Sequence, residues 1–264
     1  MPRFSTNISV MFHEHDFLSR FQMAKDNGFD AIEIQFPYEI PLTELLNAKD
    51  SAGVEITVIN VGAGDLSIGG PGIAGYPGRE DQFKVAVEKA HKYADKLKPV
   101  NINVLAGLPP LDQFERRQCL DVLASNLNYA AASLEETGAT VLTEAINTND
   151  RPGFLVSSTS AAVEIIKHAG HKNLAIQYDI YHMQIMEGNL VNTIRDNLDW
   201  IGHIQFADTP GRNEPGTGEI NFPFLFHAID EMGWTGWLGA EYIPSQQTEH
   251  TLNWMPALAK QNLS

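Results

Sequence analysis

One cysteine, Cys119, stands among 264 residues, so an internal disulfide and a thiolate-rich metal centre are both excluded, and a reducing compartment fits. The chain has no run of about 18 apolar residues, the length a membrane-crossing helix needs. Its opening, MPRFSTNISVMF, lacks the basic stretch followed by a long apolar one that marks a secretory signal. These absences predict a cytoplasmic protein. Cations are also scarce: 18 Lys and Arg against 33 Asp and Glu give a net charge of −15, which argues against a surface built for nucleic acid or anionic lipid. Gly62-Ala-Gly64 begins like a dinucleotide fingerprint, but Ser67 occupies the place of its third glycine, so a nicotinamide cofactor is set aside. No linker, repeat or low-complexity tract breaks the chain. With 43% hydrophobic and 19% charged residues, it can bury a substantial core.

What is present is an alternation. Short β-rich runs occur at Phe4–Val10, Ala31–Phe36, Ile56–Val61, Val100–Leu105, Thr140–Ala145, Leu174–Asp179, Gly202–Ala207 and Trp237–Glu241. Amphipathic stretches with helical spacing lie between them: Phe17–Asn27, Leu42–Ala52, Arg79–Leu97, Leu111–Thr137, Thr159–Ala169, Leu190–Asp199 and Phe222–Met232. Strand-helix alternation predicts parallel strands joined by right-handed crossovers. Eight such units over this length predict an α/β fold, a single (β/α)8 barrel spanning residues 1–264, with an open doubly wound sheet as the alternative. The Gly/Pro-rich stretch Gly62–Gly78 directly follows the third strand and reads as a loop on the face where barrels build active sites.

The last four strands each end in an oxygen-bearing side chain: Glu144 in VLTEAIN, Asp179 in IQYDIYH, Gln205 in HIQFAD and Glu241 in LGAEY, spaced 35, 26 and 36 residues apart. In a barrel, these four point into one mouth. Three crowded carboxylates repel and call for a compensating cation, and an all-oxygen donor set favours Mg²⁺ or Mn²⁺ over Zn²⁺. His182, three residues after Asp179, is placed to hydrogen-bond a substrate oxygen or carry a proton. Arg212 is the lone cation of the polar loop 207–220 and is placed to bind a carboxylate through two parallel hydrogen bonds, a salt bridge to Asp208 or Glu214 being the alternative. His13 and His15 are weaker candidates in a solvated HEHD run. Glu80 suits the first turn of a helix, and Glu219 suits a role in bracing its loop.

At these residues the sequence resembles the hydroxypyruvate isomerase family of the xylose-isomerase-like barrels. The segments that carry the likeness are FSTNISVMF, GFDAIEIQFPY, PGRE, TEAIN, IQYDIYHMQIMEG, IGHIQFAD, GRNEPGTGEIN and GWLGAEYIP, spread over almost the whole chain. The resemblance implies a TIM barrel and a divalent metal. It further implies two glutamates, Glu144 and Glu241, acting across an enediolate, with Asp179 and Gln205 completing the metal site and His182 and Arg212 touching substrate. Gln205 departs from the histidine that many related ketose epimerases carry there. The expected activity is isomerisation of hydroxypyruvate to tartronate semialdehyde, part of glyoxylate and carbohydrate metabolism. The competing readings are a 2-oxo-tetronate isomerase, a ketose 3-epimerase, a non-catalytic sugar-acid binding protein and a phosphodiester-cleaving relative. The expected partner is a small hydroxy-oxo acid, with neither nucleic acid nor membrane, and assembly into a homo-oligomer stays open.

Overall fold

The computed structural model describes residues 2–255. Eight strands run parallel in chain order around a closed barrel: β1 (Arg3–Asn7), β2 (Ala31–Ile34), β3 (Glu55–Asn60), β4 (Asn101–Val104), β5 (Thr140–Glu144), β6 (Leu174–Asp179), β7 (Ile201–Phe206) and β8 (Trp237–Ala240). Pairing runs round to the point of closure, where Arg3 to Thr6 pair with Trp237 to Ala240, with register shifts between Ile32 and Glu33 and between Ile176 and Gln177. All eight expected strands are present, and closure removes the open-sheet alternative.

The strands read as short apolar runs because both faces are covered, the inner by the barrel and the outer by helices. Around them lie α1 (Ser19–Asp26), α2 (Leu42–Ala52), α3 (Glu80–Leu97), α4 (Arg116–Leu134), α5 (Thr159–Ala169), α6 (Ile180–Met186), α7 (Leu190–Asp196) and α8 (Phe222–Glu231). Helix α3 shows why they form: Phe83, Val87, Ala90, Ala94 and Leu97 recur every three or four residues and are buried, while Glu80 and Asp81 occupy its first turn. Helices α2 and α5 stop where Gly53 and Gly170 take left-handed backbone, φ 64° and 68°. The expected helices differ from these by a few residues at their ends, with one addition. Helix α6 starts immediately after β6, where a loop was expected. Asp179 accounts for it: its Oδ1 accepts from the backbone N–H groups of Tyr181 and His182 (2.8 and 3.4 Å) and so caps the new helix. Among the described residues, no helix is long and apolar enough to cross a membrane.

The barrel interior is partly polar. Glu33 and His203, each 1% exposed, meet at 2.7 Å, and Ser5 donates to the same carboxylate oxygen at 3.0 Å. Their space depends on Gly239, because a Cβ there would overlap Glu33 Oε1 and lie 3.0 Å from His203 Nε2. Cys119 is buried, as an apolar side chain would be.

Candidate active site

A cavity of about 250 Å³ opens where the strands end. Its floor comes from β1 to β3, β5 to β7 and Glu241 directly after β8, and much of its rim from two loops. One is the stretch after β3, where Leu66 and Ser67 reach the cavity. The other follows β5 and supplies Ile146, Asp150, Arg151 and Phe154. The first loop is latched: Asp65 accepts from Gly72 N at 2.9 Å and from Arg79, the arginine of PGRE, at 3.1 Å, while Arg79 also donates to Gly72 O.

Glu144, Gln205, Glu241, His182 and Arg212 all border this cavity, and Asp179 lies directly behind them, 3.5 Å from His182 Nε2 and 3.8 Å from Arg212 Nη2. The six residues singled out in the sequence therefore form one cluster. His13 and His15 do not border the cavity. Glu219 accepts from Gln184 at the surface (3.2 Å).

Arg212 settles between the acids instead of pairing with Asp208 or Glu214. Its Nη2 donates to Glu241 Oε2 at 2.7 Å. Asp208 instead gathers the backbone N–H groups of Thr209, Gly216, Gly218 and Ile220, organising the loop that carries Arg212, while Glu214 is bonded to Ser245. Arg212 itself sits at φ 53°, left-handed backbone held by Ile243 N donating to its carbonyl at 2.8 Å.

Burial and mutual repulsion shape the proton affinities. Burial pushes Glu144 well above the usual carboxylate range, with Asp179 and Glu241 adding to it. Asp179 is also raised by burial, against the pull of Arg212. Burial raises Glu241 to about 7 even though Arg212 opposes it. His182 falls to about 3 through burial and the positive charges of Arg212 and Arg151, so it is a neutral imidazole. Burial works against the charge of Arg212, but Glu241, Asp179 and Glu144 outweigh it and hold the guanidinium protonated.

A carboxamide frame that the sequence reading missed fixes these groups. Asn103 and Gln177 donate to Glu144 Oε2 at 3.0 and 2.9 Å, and Asn7 and Gln35 donate to Glu241 Oε1 at 2.8 and 2.9 Å. Gln177 donates to Gln205 Oε1 at 2.6 Å, and Gln205 donates to Glu33 Oε2 at 2.7 Å. One signal was available: Gln177 lies two residues before Asp179 and so shares its face of β6. Gln177 Nε2 serves two acceptors, and its Oε1 is buried with no partner among the described residues.

The imidazole is oriented too. Asn147 accepts from Asp150 N at 2.8 Å and donates to Asp150 Oδ2 at 3.0 Å, which fixes its amide, so its Nδ2 donates to His182 Nδ1 at 2.7 Å. The single proton of neutral His182 then sits on Nε2, toward Asp179 and Glu144 (3.5 and 3.9 Å). Glu144, Asp179 and His182 each offer an atom within 4.8 Å of the others, a grouping able to hold a metal ion.

Comparison with known proteins adds to this geometry. The family described as xylose isomerase-like TIM barrel matches residues 21–258. The chain is 46% identical over 255 residues to the hydroxypyruvate isomerase of Escherichia coli strain K12, covering 97% of this chain and 98% of that one. It is 41% identical over 255 residues to the 2-oxo-tetronate isomerase of Cupriavidus necator, with the same coverage. A crystal structure titled AP endonuclease, family 2, from Brucella melitensis superposes with a TM-score of 0.92 at 36% identity, covering 96% of this chain and 98% of that one. A D-psicose 3-epimerase from Clostridium cellulolyticum H10 shares the fold at TM-score 0.76 and 18% identity, covering 97% and 90%.

Proposed function

The chain belongs to the hydroxypyruvate isomerase group of the xylose isomerase-like TIM barrels and is an isomerase; on that premise we propose that it interconverts hydroxypyruvate and tartronate semialdehyde through an enediolate, using Glu144 and Glu241. The observation that supports this most is the placing of two buried glutamates with elevated proton affinity on one cavity, with a guanidinium between the acids.

The reaction removes a proton from the hydroxyl-bearing carbon and returns one to the neighbouring carbonyl carbon, while the hydroxyl proton passes to the former carbonyl oxygen. Glu241 has Arg212 at 2.7 Å to hold its charge, which suits the group that starts ionised. Glu144 is raised by burial and by Asp179 and Glu241 against the hydrogen bond from Asn103, and among the described residues it has no cation at bonding distance, which suits the group that starts protonated. His182 Nε2–H and the charge of Arg212 are placed to stabilise the oxygens on which negative charge develops. Arg212 thus serves as a substrate contact at the reacting centre.

The residues present fit a divalent cation, because the donor set is rich in hard oxygens, with carboxylate oxygens of Glu144 and Asp179 within 4.8 Å of one another. Glu144, Asp179, Gln205 and Glu241 would hold Mg²⁺ or Mn²⁺. When bound, the ion supplies positive charge for the enediolate oxygens. His182, with its proton on Nε2, acts as a donor and not as a ligand on this reading.

A four-carbon 2-oxo acid is the second reading. A cavity of about 250 Å³ has room for one more carbon, and a 2-oxo-tetronate isomerase is 41% identical. The same proposal treats residues 1–264 as one catalytic domain acting on a small molecule in the cytoplasm.

The test is nuclear magnetic resonance in D₂O with hydroxypyruvate and with four-carbon 2-oxo acids, with and without EDTA. Solvent deuterium on the carbon beside the carbonyl, with aldehyde product, is the expected result. Glu241→Gln and Glu144→Gln should each lower turnover by about 10²-fold or more. Near-normal activity of either variant removes that residue from the pair, and no exchange from any oxo acid with Mn²⁺ present overturns the reading.

A further inference from the structure

An oxo acid carries its own negative charge into a cavity already crowded with carboxylates, so it needs a cation that the protein has not already spent. Arg212 is engaged at the reacting centre: it bonds Glu241 at 2.7 Å and lies 3.8 Å from Asp179. The other arginine that lines the cavity is Arg151, in the loop after β5.

The loop fixes Arg151 through its backbone. Arg151 N donates to Asn147 O at 3.2 Å, and Phe154 N donates to Arg151 O at 3.1 Å. The same Asn147 holds the His182 ring, so one turn places both the imidazole and Arg151. The acid beside it is turned elsewhere: Asp150 Oδ2 accepts from Asn147 Nδ2 at 3.0 Å and from Tyr181 OH at 2.9 Å. Among the described residues, no acid forms an ion pair with Arg151. Arg151 is exposed at the rim, whereas Glu144, His182 and Glu241 are buried below it.

We propose that Arg151 binds the carboxylate of the incoming oxo acid, leaving its hydroxyl and carbonyl carbons toward Glu144 and Glu241. This rests on the oxo-acid isomerase reading. Arg151 would then set the polarity of the substrate in the cavity and favour acids over neutral ketoses of the same length. A rim position also leaves the reach from guanidinium to glutamates adjustable, which suits a site for chains of three or four carbons. A planar fork suits a carboxylate better than an ammonium does, so lysine should replace it only in part.

The experiment compares wild type, Arg151→Gln and Arg151→Lys, each with Mn²⁺, on hydroxypyruvate and on dihydroxyacetone, in which CH₂OH replaces the carboxylate. Steady-state rates and solvent deuterium uptake are measured, with thermal midpoints to confirm folding. Loss of a hydrogen bond to a charged group should lower kcat/KM for hydroxypyruvate about 10- to 100-fold in Arg151→Gln, carried by KM. Lysine should recover part of the loss, and the preference for hydroxypyruvate over dihydroxyacetone should shrink. An unchanged KM for hydroxypyruvate overturns the assignment, and so does an equal fall in kcat on both compounds, which would mark a purely structural loop residue. Wild type active on neither compound would bring down the oxo-acid reading itself, and the assignment with it.

Discussion

Arg212→Ala, studied in protein stripped of metal by EDTA, should make stability steeply dependent on pH. The guanidinium lies 2.7 Å from Glu241 and 3.8 Å from Asp179, acids that are 6% and 1% exposed. At about 4 Å and an effective dielectric constant of about 20, each such pair is worth about 4 kcal/mol before the cost of burial, and removing one partner of a buried pair typically costs about 3–5 kcal/mol. The stranded acids escape that cost by taking up protons. Glu241, at about 7 in the wild type, must then move higher. An acid with a raised folded pKa binds a proton that the unfolded chain does not, so stability falls as pH rises from the unfolded value through the folded one. In the wild type the Glu241 contribution to that fall ends near pH 7, whereas in the variant it continues upward. The gap should therefore be small at pH 6 and widen by about 1.4 kcal/mol per pH unit above 7, reaching about 3 kcal/mol at pH 9. Urea unfolding at pH 6, 7.5 and 9 measures it, with an unchanged slope confirming that the two unfolding reactions expose similar surface. An equal loss at all three values would mean that Arg212 only packs, and no loss would mean that it does not balance the acids.

Two further substitutions test the scaffold. Gly239→Ala should drive a methyl group into Glu33 and disturb its 2.7 Å contact with His203; a loss of about 3 kcal/mol or more in urea unfolding is expected, and wild-type stability would show that the pair can shift without penalty. Asp65→Ala should release Gly72 N and Arg79, giving a higher KM and faster tryptic cleavage after Arg79; an unchanged digestion pattern would show that the latch does not hold the loop.

The strands were legible because burial on both faces writes each one as a short apolar run, and the four terminal oxygens were legible because they recur once per strand-helix unit. Helix α6 was not, because its signal is a single side chain: Asp179 reads as a site residue, and only the structure shows that its Oδ1 caps a helix while Oδ2 faces Arg212 and His182. The partner of Arg212 was beyond reach for a similar reason. Asp208 and Glu214 are its near neighbours in sequence, but the loop that Asp208 gathers turns Arg212 toward β8 and Glu241, 29 residues away. The carboxamide frame was hidden because Asn and Gln are ordinary in sequence and acquire meaning only through the pairing of Asn7, Gln35, Asn103 and Gln177 with the two glutamates. Arg151 was passed over because it lies on a loop, outside the strand-end pattern.

The carboxamide frame also decides where isotopes can travel. Between Glu33 and Glu144 stand Gln205 and Gln177, and between Glu33 and Glu241 stands Asn7. Primary amides neither gain nor lose protons near neutrality, so these bridges transmit orientation and insulate the barrel interior from proton traffic. A hydron lifted from the substrate has no relay inward and equilibrates with solvent only through the mouth. With Glu241 taking one proton and Glu144 returning another, the hydron that arrives on the product carbon therefore comes from the solvent side of the cavity and not from the barrel interior.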